Sequence, residues 1–235
     1  MISWLGRQGS GAESPRSRKR TAALPVERVS IETIRPEPRA VIAQAAYLQL
    51  AAFEALSRAA ASAPDLHAKE ALSASAGMAL AKHRALVAEL ERRGVRPADA
   101  MDDYRAGIDA FYGLVAGADW WEALTSIYLT SGLLDDFFSR LAAGIEEGGA
   151  KVSAVIAGDS GTDAIVGLLS AGMSADPKLA SRLAVWGRRL VGDTLLVARS
   201  ALPPTERTAE HRIEPVLTEL MAEHTRRMDR LGLTA

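Results

Sequence analysis

The sequence predicts an all-α protein, a four-helix bundle made of two helical hairpins with two additional C-terminal helices. Three observations predict it. No segment alternates apolar and polar residues over a useful length, as a half-buried strand would. From Pro38 onward apolar residues recur every three or four positions, the repeat of an amphipathic helix. Of 235 residues 48 % are hydrophobic but 5 % aromatic, with alanine in nearly every segment, which suits helices packed closely through small side chains.

Residues 1–36 mix Gly, Ser, Pro and charge without period and are expected to form a mobile tail. Arg16, Arg18, Lys19 and Arg20 make a basic cluster in it, read as solvated, with RNA phosphate as the alternative partner. The first helix is expected at 38–62, ended by "SAPD", and the second at 66–93, closed by Gly94 and Pro97. A helical crossover follows at 98–117, with Met101, Ile108, Phe111 and Leu114 packing inward. Asp119 is the N-cap of a strongly apolar helix at 119–147, which Gly148-Gly149 breaks. The next helix is expected at 150–173. "ADPK" at 175–178 supplies a cap and a first-turn proline for 176–201. After "LPPT" a charged amphipathic helix is expected at 206–231. The bundle then spans residues 37–203, and residues 204–235 pack on it.

Twenty-eight basic residues against 29 acidic ones give a net charge of -1, so the whole molecule has no general attraction for nucleic acid or anionic membrane. The absence of cysteine excludes disulfides, thiolate metal sites, iron-sulfur clusters and a cysteine nucleophile. There is no secretory apolar run near the N-terminus and no later stretch of about 18 uninterrupted apolar residues. A soluble cytoplasmic protein without a membrane partner is expected. No Gly-rich phosphate loop, Ser-His-Asp arrangement or helix-turn-helix pattern stands out.

Stepping by three and four along the second helix, positions 72, 76, 80, 83, 87 and 90 carry Leu, Ala, Leu, His, Val and Leu, which places His83 on the apolar stripe. The stripe of the helix after Asp119 is interrupted by Ser131, and that of the next helix by Asp159 and Thr162. In the first helix Gln44, Tyr47, Glu54 and Arg58 form a narrow polar strip, with Gln49 and Ser57 off it. Counted from the two hairpin tips at about 1.5 Å per residue, Glu54, Leu80, His83, Ser131, Asp159 and Thr162 fall within a few turns of one another.

At these positions the chain resembles the ferritin-like di-iron proteins, which place a Glu on each of two helices and a Glu-x-x-His pair on each of the other two. "AYLQLAAFEAL", "GVRPADAM", "DWWEAL" and "ADPKLASRLAVWGRRLVG" are similar to the bacterial group related to the tRNA hydroxylase MiaE. The resemblance spans about residues 38–200 and implies a ferritin-like bundle, two carboxylate-bridged irons, dioxygen activation and hydroxylation of a tRNA nucleoside. It implies a tRNA or protein partner and admits a homodimer. Carried over residue by residue, it makes Glu54, His83 and Asp159 the metal ligands. Leu80, Ser131 and Thr162 occupy the other three ligand positions and cannot serve as a carboxylate or an imidazole would.

A degenerate site is therefore expected, with no cofactor or a single divalent ion on Glu54, His83 and Asp159 in place of two irons. Without metal, the same three groups are expected to satisfy one another as a buried cluster, Asp159 having the alternative of capping a glycine-rich kink. The corresponding function is a MiaE-like protein of doubtful catalysis, or a metal-free helical binding or scaffolding protein. Glu122 is read as a complement to the helix dipole, Trp120 and Trp121 as packing anchors, and Asp135 and Asp136 as an exposed pair near Arg140. Asp193 is read as a partner of Arg189. His67, His211 and His224 have no spacing that suggests catalysis.

Overall fold

The computed structural model describes Ile31, residues 34–202 and residues 210–234, and the regular structure among them is helical throughout. Helix α1 spans Pro38–Ala61 and α2 spans Leu66–Arg92. Glu37 starts α1 by accepting from the amides of Arg39 and Ala40, with Pro38 in the first turn. Asp65 starts α2 by accepting from the amide of Ala68. Ala45, Ala52 and Ala59 of α1 and Ala76 and Ala79 of α2 are buried, and such small side chains let the two axes approach closely.

The crossover helix α3, Pro97–Leu114, lies against α1 and is tied to it by Arg39 to Asp103 and by the Tyr47 hydroxyl to Asp109. By length and composition alone α1 is long and apolar enough to cross a membrane; 67 % of its apolar window is buried inside the bundle.

The second hairpin departs from its predicted form in three places. Its first arm is α4, Trp120–Ser126, a π-helical turn at Ile127–Ser131, and α5, Gly132–Ala143. Phe137 and Phe138 of α5 and Leu124 and Leu129 before them are fully buried and form the centre of the core. The arm ends earlier than expected, at Gly144, whose backbone packs so closely on Ile34 that a Cβ there would lie 2.2 Å from the Ile34 carbonyl oxygen. The second arm, expected as one helix at 150–173, is two: α6, Gly149–Ile156, and α7, Thr162–Ala175. The break is made by Asp159, whose carboxylate accepts from the Gly161 amide, and by Gly161 at φ +68°, a left-handed conformation that glycine tolerates best.

Helix α8, Pro177–Ser200, begins on Asp176, which accepts from the Lys178 amide. Helix α9, Glu210–Arg230, lies across α8, α5 and the π turn. Gly187 of α8 leaves room for Met228 of α9, whose sulfur would be 2.4 Å from a Cβ. Ile31 and Ile34 are buried in the core, so packing starts ahead of the expected boundary at residue 36. The basic cluster at 16–20 lies outside the described residues.

Candidate functional site

The inward face of α2 is set by a repeat of 3.6 residues. Ala79 sits about 20° around the helix from Leu72, whereas Leu80 sits about 80° away. The buried line is accordingly Leu72, Ala76, Ala79, Lys82, Leu86, Glu89 and Leu90, and Leu80 is half-buried beside it. His83 lies at the edge of this face next to α1. It is half-buried, and its Nδ1 donates to the Ala46 carbonyl at 2.9 Å. The side chain that reaches the bundle centre is its neighbour, Lys82, 6 % exposed.

The Lys82 ammonium has three donors and three acceptors: Asp135 Oδ2 at 2.9 Å, the Ile156 carbonyl at 2.7 Å and Ser160 Oγ at 2.6 Å. Asp135 also accepts from Ser160 Oγ at 3.1 Å and, on Oδ1, from Gln49 Nε2 at 2.6 Å. Each element of this cluster has a local cause. The π turn inserts one residue into the helical repeat, which turns later side chains by about 100° relative to a continuous α-helix and brings Asp135 toward α2. The break after α6 leaves the Ile156 carbonyl without a helical donor and presents Ser160.

The predicted ligands are not brought together. Glu54 is exposed, with 58 % of its side chain in solvent, and pairs with Arg58. Asp159 is exposed at the kink, where its carboxylate accepts from the Gly161 amide; the residue that caps α7 is Gly161 and not Asp159. Neither the metal constellation nor the metal-free cluster of Glu54, His83 and Asp159 is formed, because the polar strip of α1 points away from the centre. On that strip Gln44 bonds Ser200 and Tyr47 bonds Asp109. Depth was read better than direction: Ser131 and Thr162 do line the small central cavity, with Gln49, Asp135 and Ser160. Its volume is about 30 Å³, room for a water or two and for no larger ligand.

This donor set does not fit two irons. It offers one carboxylate, already neutralised, together with neutral amide and hydroxyl groups. A divalent ion placed here would face the Lys82 ammonium at close range in a poorly solvated interior. Among the described residues no group of three or more His, Asp or Glu side chains is positioned to hold a metal ion.

Other acidic groups serve structure. Glu122 accepts from the Ala118 amide and faces Arg182, while Asp119 accepts from the Glu122 amide; together they close the start of α4 as a variant capping box. Glu89, 4 % exposed, binds Arg92 and Arg93, and these guanidinium groups hold its carboxyl down at about 2. Asp135 and Asp136 are not an exposed pair: Asp136 binds Arg227 of α9 at 2.6 Å. Arg227 also donates to the Gly132 carbonyl and accepts on its own carbonyl from Tyr128.

His224 sits beside it, 4 % exposed, with Nε2 buried and unpartnered. Burial pushes its pKa below the ordinary 6.5; the Gly187 backbone opposes this and Arg227 adds to it. A lowered folded pKa means that the unfolded chain binds more protons, so stability falls as pH drops below about 6.5. The protection factors of the α9 amides, corrected for the intrinsic exchange rate at each pH, should therefore fall between about pH 7.5 and 5.5, and His224→Gln should flatten that dependence. Unchanged acid sensitivity in the variant would assign it elsewhere.

Residues 39–210 match the family model described as a ferritin-like domain of actinomycetes. No curated protein matches the chain.

Proposed function

The chain belongs to the ferritin-like domain family of actinomycetes, and we propose that it is a metal-free member with a binding or scaffolding role, related to the MiaE-like hydroxylases but not itself an oxygenase. One observation carries the reading: a lysine ammonium with all three donors engaged stands at the bundle centre. Hydroxylation by a di-metal centre requires several carboxylates around two cations, with an open position for dioxygen. Here one covalently attached cation neutralises one carboxylate. By the same relationship its partner is a tRNA or another protein met in the cytoplasm, reached through the outer helices or the N-terminal segment rather than the closed centre.

Metal analysis of protein purified from iron-rich medium tests this. Well under one iron per chain is expected, with no rise in melting temperature on adding Fe²⁺ or Mn²⁺, since a ligand stabilises a fold only by binding it. Two irons per chain would overturn the reading.

A further inference from the structure

A cleft between α1, α3 and α4 has a volume of about 320 Å³, within the lower range of small-molecule sites, about 300–1,000 Å³. Its walls are apolar and mostly small: Ala55, Ala59, Val115, Ala123, Ile127 and the ring of Trp120. Most polar groups around it already have partners. The Trp120 indole donates to the Ala59 carbonyl, Thr130 donates to the Ser126 carbonyl, and Ser126 Oγ accepts from Trp186. Ser62 donates to the Arg58 carbonyl, and Asp119 at the mouth is held by the Glu122 amide and Arg182.

Two donors are held loosely. Arg58 at the mouth faces Glu54 at 3.6 Å, both side chains more than half exposed, so this pair is weak and easily exchanged. The Tyr112 hydroxyl lies 3.5 Å from Ser131 Oγ, at the edge of hydrogen-bonding distance. Burial pushes the Tyr112 phenol up to about 12, so it is a donor at neutral pH as an ordinary phenol is. Apolar walls with a guanidinium at the entrance and a phenol in the wall call for a ligand with an apolar body and an accepting, negatively charged end.

We propose that this cleft binds a small monocarboxylic acid with an apolar body, its carboxylate at Arg58. This goes beyond the macromolecular partner proposed above and stands independently of it. The cleft is separate from Lys82, and Ile127 lines both it and the central cavity.

Calorimetric titration of the full chain with phenylbutyrate, and with phenylbutylamine as the charge-reversed control, tests the proposal. The acid is expected to bind and the amine to bind at least about tenfold more weakly. Arg58→Gln should weaken the acid about tenfold, the size of a lost charge-assisted hydrogen bond, and remove the preference over the amine. Ala123→Leu should fill the cleft and abolish binding of both. Should Ala123→Leu fail to fold, Arg58→Gln, on an exposed side chain, still decides the matter. No binding of phenylbutyrate at millimolar concentration, equal binding of acid and amine, or indifference to Arg58→Gln would overturn the proposal. Metal analysis of the same preparation separates the two ideas: iron in the protein counts against the metal-free reading, and absent acid binding in iron-free protein counts against the cleft.

Discussion

Lys82→Met is expected to lower the unfolding free energy by about 3–5 kcal/mol, the usual cost of removing one partner from a buried ion pair. Asp135 would keep Gln49 and Ser160 as donors but lose its neutralising charge, and the Ile156 carbonyl would lose its Lys82 donor. Lys82→Met combined with Asp135→Leu removes both charges and should recover much of the loss, because a hydrophobic replacement of a whole buried pair is often neutral or stabilising. Urea denaturation of Lys82→Met, Asp135→Leu and the double variant against the unaltered chain measures this as a double-mutant cycle. A single-variant loss below about 1 kcal/mol, the range of exposed pairs, would show that the pair is solvated and that the centre is held by apolar packing alone.

Gly161→Ala is expected to be nearly as damaging. The residue is left-handed at φ +68°, and an added Cβ would lie 2.1 Å from Ser75 Oγ and 2.9 Å from its Cβ. The conformation costs about 1–2 kcal/mol and overpacking a further 1–3 kcal/mol. The change also moves Ser160, one residue away, off Lys82 and Asp135. Ser75→Gly in the same chain should relieve the steric part and leave the conformational part, so thermal unfolding of the pair separates the two. Full recovery in the double variant would mean that the left-handed backbone carries no cost here.

Much of the fold was legible because its signals are local. Asp65, Asp119 and Asp176 with Pro177 start helices where the sequence placed them, and Gly94 follows the end of α2 at φ +73°. The site was legible in depth and not in direction. Two consecutive steps of four from Leu72 carry the reading to Leu80 and on to His83, off the helical repeat and past the lysine between them. Histidine also attracted the metal reading, whereas a lysine followed by an arginine two residues later looks like an exposed flank. The π turn leaves no clear mark in "SIYLTSGLLDD", yet it turns Asp135 inward. Gln49 lies off the polar strip of α1, and that place is why it reaches Asp135 at the centre.

The Lys82 ammonium has a consequence for how this bundle answers to its surroundings. A counter-ion drawn from solution is present according to its concentration, and a fold that depends on it gains or loses stability as the supply changes. An ammonium on the chain itself is present in every molecule from synthesis onward. The neutralisation of Asp135 by Lys82 therefore carries no term in the concentration of any free metal ion.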